Sequence, residues 1–273
     1  MKQYSTFGRI VRYFTLCFAA SLIVLPIVWM FVSALKSESE IFSPHFWPRE
    51  FNLENFWIGW TREPFTLFVA NSLIVAGVST LLVIATSALA GYAFAVYRFR
   101  GRTILLFVVL GTLMIPPQVT MIPTFLLMAW LRLLDSYAGL VLPTMASGFG
   151  IFLMRQFFLT LPRDLIQAGR IDGAGELRIF STIMLPLARP AWATLGAFAF
   201  LASWNGFLWP LVILDSESKF TLPIGLLRFT QQYNQEFHLM MAVSAISLLP
   251  SLVIFLICQR AFVEGIATSG LKG

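Results

Sequence analysis

Long apolar runs separated by short polar segments set the pattern of this 273-residue chain. A hydrocarbon core of about 30 Å takes roughly 20 apolar residues in helical form. Six runs reach that length, at about 13–35, 72–97, 103–131, 136–158, 188–214 and 239–262. The first, Tyr13 to Leu35, is too long for a leader core and has no small-residue cleavage site behind it, so it reads as a retained helix. An amphipathic lead-in from Phe65 precedes the second. Pro116, Pro117 and Pro123 interrupt the third. The pattern predicts an all-α polytopic membrane protein with six transmembrane helices.

Composition agrees. Hydrophobic residues make up 58% of the chain and charged residues 12%, against about 25% charged in soluble domains. So little charge does not cover a water-facing surface, which excludes a soluble enzyme, a disordered tail and a coiled coil. Cys17 and Cys258 each lie in an apolar run and form no disulfide framework.

The net charge of +6 raises the question of nucleic acid, and its distribution answers it. With the N-terminus in the cytoplasm, 13 of the 19 Lys and Arg residues fall in inside segments beside four acids, and six fall outside beside nine acids. The Lys/Arg bias sets orientation, so both termini are predicted to be cytoplasmic. Basic residues spread over four separate segments do not make a nucleic-acid surface.

Intramembrane ionisable residues, the usual relays of pumps and carriers, are absent from the middles of all six runs. No His, Cys and carboxylate cluster has metal-ligand spacing, and no nucleophile–base arrangement stands out. A phosphate-binding loop needs Gly-Lys followed by Ser or Thr. Only Lys36 precedes a Ser, and Leu35 stands where the Gly belongs, so the chain has no nucleotide site of its own. The proline cluster around Gln118 predicts an unwound polar stretch, tolerable at depth where it lines a cavity or an interface.

The longest inside segment, about 159–187, carries the most information. Thr160 is placed to cap a helix whose first turn accepts Pro162. Gly173 is placed as a left-handed C-terminal cap. A second helix is expected from about Gly175 to Met184, stopped by Pro186. Ala168 and Gly169 keep one face of the first helix small enough for close approach by another protein. The alternative is an amphipathic loop lying on the lipid surface.

Within that segment stand Gln167-Ala168-Gly169, three residues, Gly173, nine residues, then Ile183-Met184-Leu185-Pro186. The spacing resembles the loop motif of permease subunits of binding-protein-dependent ABC importers, which reads Glu-Ala-Ala, three residues, Gly, nine residues, Ile-x-Leu-Pro. Gln167 replaces the Glu and Gly169 the second Ala. Arg170-Ile171-Asp172-Gly173-Ala174 is similar to the carbohydrate-importer branch. Trp204-Asn205-Gly206-Phe207-Leu208-Trp209-Pro210 looks like the fifth-helix segment of sugar permeases. The stretch from Gln259 to Gly273 resembles the tail of the maltose-type permease partner subunit.

The resemblance implies a single transmembrane permease domain over 1–273, forming half of a carbohydrate pathway in a bacterial or archaeal plasma (inner) membrane. It implies a second permease, as a hetero-pair, two ATPase subunits and an extracytoplasmic solute-binding protein. ATP and Mg then belong to the ATPase, and this chain binds no cofactor. Gln167, Ala168, Gly169, Asp172, Gly173, Ile183, Leu185 and Pro186 are the implied ATPase-coupling positions. Lys272 and Gly273 are the implied tail-docking positions. Sugars are held by hydrogen-bonding side chains and aromatic faces, which makes Gln118, Trp204, Asn205 and Trp209 candidates for lining the pathway. Two outside segments, Lys36 to Thr66 and Asp215 to His238, are expected to face the binding protein. The competing reading is a stand-alone ion-coupled carrier or channel, for which no coupling-ion site or internal repeat is visible.

Overall fold

The computed structural model describes residues 6–233 and 235–270, and the described residues are helical with no strand. Along the chain run α1 (Thr6–Ala34), α2 (Glu54–Arg62), α3 (Phe65–Val96), α4 (Arg102–Thr112) and α5 (Pro117–Trp130). Next come α6 (Tyr137–Val141), α7 (Gly148–Thr160), α8 (Asp164–Ile171), α9 (Glu176–Ile179) and α10 (Leu185–Leu187). The chain ends with α11 (Arg189–Trp204), α12 (Leu208–Ile213), α13 (Leu222–Gln232) and α14 (Phe237–Gly270).

Three uninterrupted stretches, Phe7–Ala34, Phe65–Val96 and Phe237–Ile257, are long and apolar enough to cross a membrane. The Phe65 lead-in is continuous with the second expected run. Three further pairs reach that length only across a bend: α4 with α5 (100°), Tyr137–Thr144 with α7 (47°), and Glu176–Leu187 with α11 (78°).

Each interruption has a local cause. α4 closes at Thr112, Pro116 stands at the N-cap of α5, and Pro117 opens that helix, where a missing N–H costs nothing, so that Gln118 is helical and the unwound stretch is 113–116. Pro123, expected as a further break, is accommodated inside α5. Ser136 caps α6 by accepting from the Gly139 N–H (3.1 Å), and Ser147 caps α7 by accepting from that of Gly150 (3.0 Å). The fifth run is not continuous to 214. It closes at Trp204, with the Asn205 and Gly206 N–H groups bonded to Leu201 and Ser203, and resumes as α12. Pro210 sits in the first turn of that short helix, where Pro is tolerated.

Two further expectations change. Thr160 does not cap the loop helix. It is the last residue of α7 and its hydroxyl donates to the Phe157 carbonyl (2.7 Å), while α8 starts at Asp164, beyond Pro162. Pro186 does not stop the second arm either. A π-helical turn over Phe180–Met184 leads directly into α10, whose first turn accepts Pro186. The break falls at Ala188, just before Pro190 opens α11.

Two compact units divide the described residues: one up to Thr66 with Gly225–Leu249, the other Leu67–Ile224 with Pro250 onward. In the first, buried Lys36 donates from Nζ to the His45 carbonyl (2.7 Å). The Asn55 amide donates to the Ala34 and Lys36 carbonyls (both 2.8 Å), and Phe65 packs on Phe229. In the second, α3, α7, α8 and α11 share a buried core that includes Tyr92, Met154, Phe158, Ile166, Ile179, Met184 and Leu195. Gly91 and Gly150 let α3 and α7 approach closely, since an added Cβ would meet Met154 Cβ at 2.7 Å and Ser87 Oγ at 2.3 Å respectively. Large apolar side chains such as Phe14, Ile23 and Phe107 stand more than half exposed, as a lipid-facing surface requires.

Candidate functional site

The loop with the spaced motif folds as a braced pair of helical arms. In α8, Ile166 and Gly169 turn inward, while Leu165, Gln167, Ala168 and Ile171 turn outward. Ile171 is 86% exposed and Leu177 on the facing arm 77%, an apolar display that nothing among the described residues covers. Gly169 has a packing reason: a Cβ there would meet Ile179 Cγ1 at 3.0 Å and Ile183 Cδ1 at 3.3 Å. Its backbone lies against the second arm, and the Ala-to-Gly departure from the motif permits that contact.

The turn after α8 forms as expected. Gly173 adopts φ +76°, a left-handed conformation that glycine enters without steric cost. The Ala174 N–H donates to the Gly169 carbonyl (2.9 Å) and the Gly173 N–H to that of Arg170 (3.1 Å), the paired bonds of a Schellman cap. Asp172 is exposed and closes the helix through its own N–H to the Ala168 carbonyl (2.9 Å). Leu185 accepts at its carbonyl from the Trp192 indole N–H (3.2 Å), which joins the second arm to α11.

A brace that sequence reasoning missed fixes the two arms to each other and to α3. Arg170 Nε donates to Glu176 Oε1 (2.7 Å), and the Tyr97 hydroxyl donates to Glu176 Oε2 (2.7 Å). Arg170, then Tyr97, hold the Glu176 carboxyl below the usual carboxylate range. The only signal was an acid placed just past the Gly173 turn, at a spacing no helix face explains.

The four pathway candidates separate. Gln118 and Trp209 line one cavity of about 230 Å³, with Thr120 and Thr144. Trp209 also borders a second cavity of about 340 Å³ with Ser79, Ser147 and Ser203. Its indole N–H donates to the Gly139 carbonyl (3.2 Å). Trp204 is buried and stacks on Phe200, and Asn205 is exposed at the end of α11. Neither lines these cavities. Lys272 and Gly273 lie outside the described residues, as does Asn234 of the second outside segment.

At the other end of the second unit, residues 214–222 are bolted down at two places. The Asp135 carboxylate accepts from the Asp215 and Ser216 N–H groups, the Ser216 hydroxyl and Lys219 Nζ (2.8 Å). Lys219 and Ser216 hold the Asp135 carboxyl well below the usual carboxylate range. Asn71 donates to the Ser218 and Phe220 carbonyls (both 2.9 Å) and accepts from the Tyr137 hydroxyl (2.7 Å). Among the described residues no group of three or more His, Cys, Asp or Glu forms a metal cage.

Comparison with known proteins converges on one family. The model of the family described as "Binding-protein-dependent transport system inner membrane component" matches residues 84–268. The arabinooligosaccharides transport system permease protein AraQ of Bacillus subtilis (strain 168) is 42% identical over 203 residues, 74% of this chain and 72% of that protein. The sn-glycerol-3-phosphate transport system permease protein UgpE of Yersinia pestis bv. Antiqua (strain Antiqua) is 38% identical over 265 residues, 91% of this chain and 92% of that protein. Among solved structures, a chain of a bacterial ABC transporter involved in the import of the acidic polysaccharide alginate superposes with a TM-score of 0.85 at 25% identity, covering 95% of this chain and 99% of that one.

Proposed function

The chain belongs to the binding-protein-dependent transport system inner membrane component family, and from that premise we propose that it is the permease subunit of an ATP-driven carbohydrate importer whose coupling element is α8. It is a transport subunit and not an enzyme. ATP hydrolysis resides on separate ATPase subunits, a second permease completes the pathway, and an extracytoplasmic binding protein delivers substrate. The stand-alone carrier reading finds no support.

In this reading the membrane is a bacterial inner membrane, crossed six times with both termini cytoplasmic. Support comes from the three long helices, the bent pairs α4 with α5 and Tyr137–Thr144 with α7, the apolar run of α11 and α12, and the bias of Arg and Lys toward the segments that include α8. The arm over 176–187 belongs to the cytoplasmic loop, and the fifth crossing is α11 with α12. ATP and Mg are held by the partner, and this chain carries no cofactor. The Lys272–Gly273 tail docks on the ATPase.

The observation that carries the reading is the geometry of α8. Its inward face is locked by Ile166 and Gly169, its end by the Gly173 cap and the Arg170–Glu176–Tyr97 brace. Its outward face offers Leu165, Gln167, Ala168 and Ile171. Closure of the ATPase pair around that face moves a body that cannot bend, so nucleotide energy reaches the spans through contacts that differ between two states. Gly173 sets the turn, Ile183 buttresses Gly169, and Leu185 with Pro186 joins the arm to α11. Gln118 and Trp209 line the sugar path, with Asn205 and Trp204 as weaker candidates, since one is exposed away from both cavities and the other packed. The second outside segment, tied down through Asp135 and Asn71, receives the binding protein.

Cysteine crosslinking tests the coupling assignment. Ala168→Cys is expected to crosslink to a cysteine in the ATPase cleft of the purified complex, with a yield that changes on ATP binding. A yield no higher than that of an outer-loop cysteine overturns it.

A further inference from the structure

We propose that the arginine turn between α3 and α4, with Arg155 of α7 beside it, is a binding site for the phosphate headgroup of an anionic phospholipid. The proposal rests on the membrane-crossing reading above and adds a ligand to four arginines that take no part in the brace of α8.

Three arginines, Arg98, Arg100 and Arg102, fall within five residues. The turn is tight: Arg102 N–H donates to the Phe99 carbonyl, and Gly101 adopts φ +83°. Arg98, Phe99, Gly101, Arg102, Thr103 and Ile104 line a concavity of about 370 Å³. Arg155 lies two turns along α7 from Gly148, whose backbone packs on Val109 and Thr112 of α4. The Arg155 Nε is shielded from solvent and has no hydrogen-bond partner, and the Arg102 guanidinium is close enough to repel it. Among the described residues none of the four arginines pairs with a carboxylate. The nearby Glu176 is already engaged by Arg170 and Tyr97. Three cations on one turn and a fourth on the helix packed beside α4, the last with a shielded and unsatisfied donor, leave an electrostatic vacancy for an anion.

The surroundings choose the anion. A turn of five residues between two apolar helices does not project from the membrane surface. Directly below it, Ile104 and Phe107 are 70% and 68% exposed, and Phe99 40%. Cationic groups above an apolar, outward-facing helix match the headgroup and acyl chains of a phospholipid. The α8 loop differs, since it carries both signs of charge and its own braces. A lipid phosphate bridging Arg102 and Arg155 would pin the start of α4 to the middle of α7.

The test uses the complete complex with its ATPase and second permease. The complex is reconstituted in nanodiscs of phosphatidylcholine alone or with phosphatidylglycerol, and retained lipid is read by native mass spectrometry. Wild type is expected to retain phosphatidylglycerol over phosphatidylcholine. Arg98→Gln and Arg102→Gln each lower that preference about fivefold, the effect of one surface cation, while Arg102→Lys keeps most of it. Equal retention of both lipids by wild type, or an unchanged preference in both Gln variants, overturns the proposal. So does loss of the ATPase from the Gln variants alone, which would assign the turn to an acidic protein face. Failure of wild type to hold any ATPase would instead count against the coupling function and leaves the lipid readout intact.

Discussion

Replacing Gly173 isolates the backbone of the coupling turn from its contacts. At φ +76°, nothing lies within 4 Å of the position a Cβ would take, so substitution costs conformation and not space. Alanine in the left-handed region costs roughly 1–2 kcal/mol, Asn less, and β-branched Val more. If Val abandons the turn it escapes that strain and loses instead the two cap bonds from Ala174 and Gly173, each worth about 1 kcal/mol net. With tenfold per 1.4 kcal/mol, the share of α8 held in docking geometry falls about threefold for Asn, about tenfold for Ala and about thirtyfold for Val. The assay is binding-protein-stimulated ATP hydrolysis and uptake in proteoliposomes, with basal hydrolysis as control. The expected order is Gly, Asn, Ala, Val, with basal hydrolysis unchanged. A Val complex that inserts normally and transports at the wild-type rate refutes the reasoning. Asn failing as badly as Val refutes it too, because the position would then be read through its side chain.

The brace predicts that Glu176→Gln, which leaves Arg170 without its carboxylate, lowers stimulated hydrolysis several-fold. Tyr97→Phe, which loses one bond to Glu176 but leaves the ion pair to Arg170, has the smaller effect in the same assay. Gly91→Ala sets a Cβ at 2.7–3.1 Å from Met154 Cβ and from backbone N and O of α7, which cannot rotate away. It is expected to destabilise by about 1–3 kcal/mol, seen as a lower melting midpoint of the detergent-solubilised complex. The outer tether through Asp135 has a lowered pKa, so its contribution is present above the ordinary value of 3.8 and is lost only as pH falls below it. Proteolytic resistance of 214–222 should therefore be flat from pH 8 to 5 and decline in stronger acid, and Asp135→Asn should weaken it at neutral pH.

Apolar run lengths located every long helix, because a membrane span is specified by the sum of some twenty side chains and tolerates error in each. Gly173 was legible for another reason: a positive φ excludes most residues, and the paired cap needs no distant partner. The break at Trp204 and the passage of helix through Pro186 were not legible, because whether a Pro ends a helix depends on the turn in which it falls, whereas the start of the fifth run at about 188 was. Pro186 and Pro210 both sit in first turns, where their missing N–H is harmless. The Tyr97–Glu176 and Asp135–Lys219 bonds join residues 79 and 84 positions apart, and no local pattern encodes such a pairing. Trp204 looked like a sugar platform by type, yet type cannot say which face of a helix is packed.

The placement of rigid and interrupted segments bears on how force travels. Ile166 and Gly169 of α8 are buried with Ile179 and Met184 of the second arm, Phe158 of α7 and Tyr92 of α3, and that core runs on to Leu195 of α11. A load on the outward face of α8 therefore reaches α3, α7 and α11 together, as a body packed like a protein interior. The helix interruptions at 113–116, 145–147 and 205–207 lie outside that core. Bending concentrates where the ladder of backbone hydrogen bonds is broken, so these points are the joints of the unit. Gln118, Thr144 and Trp209 each stand within four residues of a joint, and they share one cavity. In the proposed coupling role, a helix that moves as a rigid handle, joined to spans that yield beside the cavity, is expected to convert motion at the loop into a change of cavity shape.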